Sequence, residues 1–455
     1  MLISPDRRVC LSTQSSVAVA PELEAVFVGA SAAAPVYTNA ATALTAAAQL
    51  GFVPAPGDAS LNGLPLAFST AASFAAAFPA DDGWLARAVT DYFNAGGLRA
   101  WVVRIVADAS APLDSYMRAS SPVSANAPPT GVEIAMQVPS AGLLVLPDLE
   151  HLCLAGAEPQ PAPPSAPLSA PGFRPITDFV APPPAGVEPP PAATTVGPQD
   201  VLARASAMLA ATRPDMLCLF ALPVGADQMQ TAAAMVRRAD AYLHGAIPPG
   251  PDLPQVQAFA PLLRDATGAI ASPSGLIAGL LCAAAQTDGV WRSVAGRTLP
   301  SGATPLRRID SNALDTLRRS GITVLRFAPG GTTLDDDILG CRDVAGAAPR
   351  RAAGARRLMG WLLRNLQTFG EQLVFENVLD DGRVELALTS LFATLLKRGA
   401  LNGRQVSDAV TITRRDPGQD SAVEFDIGVA IAVAIETIRL SFLDGQVTAT
   451  LGAAA

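Results

Sequence analysis

The sequence predicts a mixed α/β (α+β) fold, in which helices pack on a β-sheet and extended β-strand arms lie at both ends. Three observations carry this prediction. Short β-type runs and helix-like segments alternate along most of the chain, as in folds that join strands by helices. Residues 423–451 form a β-type segment whose apolar residues recur with a period of two. Residues 1–20 are short, polar and extended in type.

Turn residues and periodicity place the individual elements. Gly29 ends the first strand, and Gly96 and Gly97 end the third helix, because glycine suits the left-handed end of a helix. The predicted strands are Glu24–Gly29, Arg99–Val106, Leu143–Leu146, Met216–Leu222, Thr323–Phe327 and Gln372–Phe375. The predicted helices are Ala40–Leu50, Ser69–Phe78, Trp84–Phe93, Gln199–Ala211, Asp227–Tyr242, Ala313–Ser320, Ala352–Phe369 and Val384–Arg398.

The C-terminal segment has the clearest strand pattern. Its apolar residues occupy alternate positions up to residue 435, and the phase slips by one at Glu436-Thr437, which indicates a bulge or a crossing between sheets. Asp444-Gly445 predicts a two-residue hairpin turn. The resulting register pairs Phe442 with Val447, Leu440 with Ala449, Ile438 with Leu451, Ser441 with Thr448 and Arg439 with Thr450.

This predicted hairpin needs a covering surface, because a lone two-stranded hairpin is marginally stable in water. Two interpretations remain open. The hairpin folds back onto its own domain, or it is an arm that adds to a sheet in a neighbouring copy. In the second interpretation the contact residues of the arm are Ile438, Leu440, Phe442, Val447 and Leu451.

Composition shifts divide the chain into five segments. Residues 156–198 are dense in proline, alanine and glycine, which predicts a surface segment or a linker. The predicted segments are an N-terminal arm (1–20), a first part of the core (21–106), an insertion region with the proline-rich stretch (107–198), a second part of the core (199–422) and a C-terminal hairpin arm (423–455).

Composition also excludes several classes of protein. The chain has 455 residues, half of them hydrophobic, yet no window holds the ~18 uninterrupted apolar residues of a membrane span, so no membrane insertion is expected. The excess of apolar surface instead suggests burial between subunits. A net charge of −8 argues against nucleic-acid binding. The five cysteines lack paired spacing, which favours a reducing cytosol over a disulfide framework or a zinc site.

No group of residues has the pattern of a catalytic or cofactor site. The two histidines, His151 and His244, are isolated, so histidine-based triads and metal sites lack parts. The run 335–337 (DDD) lacks the spacing of a calcium loop and predicts a solvated loop. Ser272-Pro-Ser-Gly275 lacks the pattern of a nucleophile turn. The sequence therefore predicts a protein that is not an enzyme and needs no cofactor.

Several segments, in order over roughly residues 20–405, resemble the contractile phage tail sheath family and the sheaths of contractile injection systems. The most specific is residues 92–105 (YFNAGGLRAWVVRI), an aromatic helix end, a glycine pair and an aromatic-Val-Val-Arg strand. Similar pieces are Val26–Gly29, Phe68–Phe78, Ser272–Gly279 followed by Asp288–Arg292, Leu314–Arg326, Arg356–Glu376 and Leu391–Gly399.

The resemblance implies a sheath-type core and a function in assembly. Such subunits form six-membered rings stacked helically around an inner tube, and the sheath contracts on a baseplate signal to drive the tube through a target envelope. The implied partners are other copies of the chain, the tube protein, and baseplate and terminator or cap proteins. Assembly is expected in the bacterial cytoplasm, as part of a phage tail or phage tail-like particle. The alternatives are a cytosolic α/β enzyme with an unrecognised site and a non-contractile shell or baseplate component.

The resemblance also implies interlocked arms and a surface that faces the tube. The N-terminal arm around Arg7, Val9 and Leu11 is expected to contribute a strand beside the C-terminal hairpin. Arg350, just before the helix 352–369, and Arg357 and Arg364 within it are spaced seven apart and line up beside its apolar stripe. Two interpretations of these arginines are open: a solvated basic edge, or a surface that matches an acidic tube.

Overall fold

The structure is a computed structural model of the chain. It describes residues 23–31, 35–54, 60–79, 81–106, 113–117, 129–155, 198–224, 231–246, 255–300, 302–341, 351–373, 381–415, 424–431, 437–443 and 446–452.

The centre of the fold is an eight-stranded sheet. Its strands are β1 (Glu24–Ala30), β2 (Pro65–Phe68), β3 (Ala100–Ile105), β4 (Ala141–Val145), β5 (Leu217–Ala221), β6 (Val256–Ala260), β10 (Ile322–Ala328) and β11 (Gly331–Leu334). They lie in the order β11-β10-β6-β5-β4-β1-β3-β2. The inner strands run parallel, and each edge strand, β2 and β11, is antiparallel to its neighbour. Three short strands, β7 (Leu263–Arg264), β8 (Ile270–Ala271) and β9 (Thr304–Pro305), form a separate small sheet.

Helices cover both faces of this sheet. The alternation of side chains along β1 shows the two layers, since Ala25 and Phe27 belong to one buried cluster and Val26 and Val28 to the other. The helices are α1 (Ala41–Gln49), α2 (Ala71–Ala77), α3 (Trp84–Asn94), α4 (Gly131–Ala135), α5 (Pro147–Ala155), α6 (Pro198–Thr212), α7 (Ala232–Ala246), α8 (Ser274–Thr287), α9 (Ser311–Arg319), α10 (Ala353–Leu373), α11 (Asp381–Lys397) and α12 (Val406–Ala409). No helix in the described part of the chain is long and apolar enough to cross a membrane.

The predicted α/β architecture is confirmed, and most predicted elements lie where expected. The strand predicted at Gln372–Phe375 is wrong for its first two residues, because Gln372 and Leu373 form the end of α10. The sequence patterns do not predict β2, β6, β11, α4, α5 or α8. Helix α8 is apolar on nearly every side because it is buried between other elements, so it lacks the periodicity that identifies a surface helix.

Three of the five predicted segments, 21–106, 107–198 and 199–422, contribute strands to the one eight-stranded sheet. Residues 21–106 supply β1, β2 and β3, and residues 199–422 supply β5, β6, β10 and β11. The region 107–198 contributes β4, which lies between β1 and β5 at the centre. The proline-rich residues 156–197 and the N-terminal residues 1–22 lie outside the described residues.

Helices α3 and α8 approach each other closely enough to bring their backbones into contact. A Cβ atom added at Gly275 would lie 2.3 Å from the carbonyl oxygen of Ala88. One added at Gly279, a turn further along α8, would lie 2.2 Å from the carbonyl oxygen of Tyr92. Only glycine fits at these two positions, and the two helices therefore pack without an intervening layer of side chains.

This contact predicts the effect of a single added methyl group. Gly279→Ala is expected to lower the free energy of unfolding by about 1–3 kcal/mol, because the new Cβ must push the helices apart in a packed core. Urea denaturation followed by circular dichroism measures the change. Gly428→Ala is the matched control, since the nearest atom to its added Cβ is 3.8 Å away. Equal stability of the two variants would contradict the close packing.

Candidate assembly elements and buried charges

Two small sheets lie at the C-terminal end of the chain. The first pairs β12 (Val410–Arg415) with β13 (Glu424–Val429) in antiparallel register. We call the described residues within 23–409 the body. The body holds this sheet, because Ala430 accepts a backbone hydrogen bond from Asn402 at 2.8 Å and donates one to Ala409 at 2.8 Å. The partly buried side chains of Ile427, Val429 and Ile431 pack against the core, on the alternate positions that the sequence predicts.

The second small sheet is the predicted hairpin, formed by β14 (Thr437–Leu443) and β15 (Gln446–Gly452). The predicted register is confirmed: Phe442 lies opposite Val447, Leu440 opposite Ala449 and Ile438 opposite Leu451. Among the described strands, β14 and β15 are hydrogen-bonded only to each other. Each strand therefore has one edge without a described neighbour. The turn residues Asp444 and Gly445 lie outside the described residues, as do Arg7, Val9 and Leu11 of the N-terminal arm.

Arg357 is buried, which contradicts the prediction that it lies on an exposed basic edge. Its guanidinium donates two hydrogen bonds to the carboxylate of Asp337, at 3.0 and 2.7 Å, and only 1% of its side chain is exposed. It also donates to the carbonyl oxygen of Val290 at 3.1 Å, and Gln257 donates to Asp337 at 2.8 Å. Burial by itself raises the pKa of Asp337, but the charge of Arg357 together with the hydrogen bonds that Asp337 accepts outweighs this effect and holds that pKa below its usual range.

Arg364 is also turned into the body, so the basic edge is wrong for this residue as well. Its guanidinium donates to the carbonyl oxygen of Asp215 at 2.7 Å and lies 3.4 Å from the Asp215 carboxylate. Arg213 donates two hydrogen bonds to the same carboxylate, both at 2.8 Å. Arg357 and Arg364 are thus both paired with acidic residues of their own chain. Arg350 lies outside the described residues.

The run 335–337 is not the solvated loop that the sequence predicts. Asp335 lies 3.1 Å from the guanidinium of Arg326, and Asp336 accepts a hydrogen bond from Arg318 at 3.0 Å. Asp337 is the buried partner of Arg357. All three carboxylates are therefore paired with arginines, and no group of three or more metal-ligating side chains occurs in the part of the chain that the structure describes.

Ser274, from the run considered as a nucleophile turn, is fully buried and donates a hydrogen bond to Glu150 at 2.6 Å. The same Glu150 oxygen accepts one from the backbone N–H of Ala221 at 2.8 Å. Glu150 has no exposed surface, so this serine and glutamate join α5, β5 and α8 rather than line a cavity. Burial raises the pKa of Glu150 to about 8, which favours its protonated form at neutral pH.

Comparison with solved structures relates this fold to contractile sheaths. The chain matches a chain of the sheath complex of an extracellular contractile injection system, PVC, in its contracted state, with a TM-score of 0.56, 15% identity and coverage of 98% of this chain and 96% of that one. It matches the contracted helical sheath of the anti-feeding prophage (0.57, 16% identity, 98% of both chains). It also matches a chain in the baseplate of that particle (0.59, 18% identity, 98% of both chains).

The protein therefore has the fold of contractile sheath proteins, along nearly its full length, as the resemblance in the sequence implies. The matching structures are sheath and baseplate assemblies, which are structural proteins. No protein-family model matches the sequence, and no curated protein matches it.

The buried ion pair predicts a large effect of removing one partner. Arg357→Met should lower the free energy of unfolding by roughly 3–5 kcal/mol, because it leaves the Asp337 carboxylate buried without its counter-charge. The double variant Arg357→Met/Asp337→Leu should lower the free energy of unfolding clearly less than Arg357→Met alone. Arg319→Met is the control, since Arg319 is exposed on α9. Guanidinium denaturation of the purified protein measures all three; a loss below about 1 kcal/mol in Arg357→Met would contradict the assignment.

The raised pKa of Glu150 predicts a pH dependence of stability. Between its unfolded value of 4.5 and its folded value of about 8, the folded protein holds a proton that the unfolded chain releases. The free energy of unfolding should therefore fall as the pH rises through this window and level off above it. In the wild-type protein the free energy of unfolding should fall by an amount on the order of 3–5 kcal/mol between pH 5 and 9, and Glu150→Gln should abolish this fall. The exposed Glu385→Gln is the control, and parallel stability curves for Glu150→Gln and wild type would refute the prediction.

Proposed function

We propose that this protein is the subunit of a contractile sheath, which polymerises as stacked hexameric rings around an inner tube and contracts to drive the tube through a target envelope. The observation that carries the proposal is the match to contracted sheaths over 98% of the chain, including the part that follows the body. The inner tube protein, baseplate proteins and a terminator or cap protein are its proposed partners. Assembly would take place in the bacterial cytoplasm, in a phage tail or phage tail-like particle.

In this proposal the hairpin β14–β15 is the arm that links subunits. The hairpin would pair with an edge of the sheet β12–β13 of a neighbouring copy, and the N-terminal segment with Arg7, Val9 and Leu11 would add a further strand to that sheet. Two facts support this arrangement: β12–β13 is a two-stranded sheet held by the body, and β14–β15 pairs with no other described strand.

The energy of such a link comes from backbone pairing and apolar burial. Each main-chain hydrogen bond would contribute about 1 kcal/mol net. Burial of each large apolar residue, at positions such as Ile438, Leu440, Phe442 and Leu451, would contribute about 1.5–3 kcal/mol, before the cost of ordering the arm. The total is enough to hold neighbouring subunits together while their bodies move, if the arm remains paired.

The proposed arm starts nearer the C-terminus than residue 423. Residues 424–431 pair with β12 and pack against the core, so they are required by the body. The arm proper would begin beyond Ile431, with β14 and β15 as its paired part. Truncation at this point separates the body from the arm without cutting β13.

A chain ending at Ile431 should therefore give a folded monomer that does not polymerise, while the full chain forms striated tubes or rings. Negative-stain electron microscopy and analytical ultracentrifugation measure this. Within the full chain, Phe442→Asp should block assembly and Ser441→Asp should not, because adjacent residues of a strand lie on opposite faces. If the truncated chain forms tubes or fails to fold, the hairpin packs on the body of its own copy and is not an arm between copies. Compact monomers of the full chain would instead favour an enzyme or a shell component.

A further inference from the structure

A pocket of about 460 Å3 opens on the surface where α8 and α11 end. Its lining includes Arg292 and Arg297 from the segment after α8, and Arg398 from the residue that follows α11. Asp288 is the only acidic residue among the described residues that line it, so three guanidinium groups face one carboxylate there. The hydroxyl side chains of Thr287 and Ser293 complete the lining.

The charges in this pocket are held in place but not balanced. Arg297 forms an ion pair with Asp288. Arg398 lies over the ring of Trp291, at 5.3 Å from the ring centre, which fixes its direction and leaves its hydrogen-bond donors available. Arg292 is exposed and makes no ion pair with a described residue. The pocket thus has a surplus of two positive charges, carried by groups that bind carboxylates through paired hydrogen bonds.

The opposite end of α11 carries a carboxylate, whose negative charge is complementary to the positive charge of the pocket. Glu385, in the first turns of α11, is exposed and forms no ion pair among the described residues. The next residue, Leu386, is 70% exposed, which is unusual for a large apolar side chain. An acidic and an apolar group therefore stand side by side near one end of the helix, and the basic pocket lies at the other.

Glu385 cannot reach the pocket of its own chain. Twelve helical steps separate it from Lys397 at the end of α11, which is roughly 18 Å along the helix axis. Pairing of the two ends must therefore occur between copies. A contact between different surfaces of identical copies is heterologous and repeats from one copy to the next, which produces an open polymer when it does not close into a ring.

We propose that the pocket of Arg292, Arg297 and Arg398 receives Glu385 of a second copy of this chain, with Leu386 packed at the pocket rim. The contact would join the bodies of neighbouring copies directly, in addition to the strand pairing of the arms. This contact rests on the proposed self-assembly of the chain, and Glu385 is the group that it assigns to the pocket.

Charge reversal and its rescue test the pairing. The double variant Arg292→Glu/Arg398→Glu and the single variant Glu385→Arg should each raise the protein concentration needed for assembly by ~tenfold or more, because like charges then face each other. The combination of all three changes should restore assembly to within about threefold of wild type, since the charges are exchanged rather than lost. Arg319→Glu, an exposed reversal outside the pocket, is the matched control.

Sedimentation of assembled material, over a range of protein concentrations and at low and high salt, measures these effects. Thermal unfolding by circular dichroism checks that each variant folds; Glu385→Arg changes an exposed side chain and stays informative if the arginine variants unfold. Assembly of Glu385→Arg at the concentration that Arg319→Glu requires would overturn this contact and leave the proposed function standing. So would failure of the combined variant to recover while all the variants remain folded. A wild-type chain that never assembles would overturn the contact and the proposed function together.

Discussion

The buried ion pair between Arg357 and Asp337 is the constraint on which the arrangement of the body depends. A charge removed from water is stable only where an opposite charge and hydrogen-bond partners meet it, and these two side chains have almost no exposed surface. Their partners come from distant parts of the chain: the strand β6 through Gln257, and the loop after α8 through the carbonyl oxygen of Val290. Seven residues along α10, Arg364 makes a second attachment at Asp215, beside β5. Helix α10 is therefore fixed in position and rotation by two polar contacts that tolerate little displacement, whereas apolar packing alone would accept several similar arrangements.

The sequence predicts the local elements well, but it does not predict which charged side chains pair with each other across the fold. Strand alternation and the Asp-Gly turn determine the register of the C-terminal hairpin, because both signals lie within about fifteen residues of each other. The arginines of α10 lie beside an apolar stripe whether they face solvent or the core. Their acidic partners are far away in sequence, so spacing along the helix could not distinguish the two cases. Helix α8 escapes prediction for a related reason: a helix that is buried on nearly every side has no polar face to reveal its period. The basic pocket combines residues after two different helices, and only the fold brings them together.

Body and hairpin differ in how they are stabilised, and this difference fits the proposed assembly. The body contains two buried clusters on either side of one sheet, which is the arrangement of an independently folded α/β unit. The hairpin β14–β15 has a defined register but pairs with no other described strand. A segment of this kind gains most of its stability from the surface it joins, so its folding and the association of copies would be one event. The body would then be formed before assembly, and the arm during it.

The contact between α3 and α8 has a mechanical consequence. Where Gly275 and Gly279 bring two helix backbones together, no side chains stand between them. Side chains deform under load by changing rotamers, whereas helix backbones are held by their own hydrogen bonds and yield very little. A force applied to α3 therefore passes to α8 with almost no loss of displacement. Because α3 leads into β3, which lies between β1 and the edge strand β2, this side of the body acts as a stiff element that transmits load rather than absorbing it.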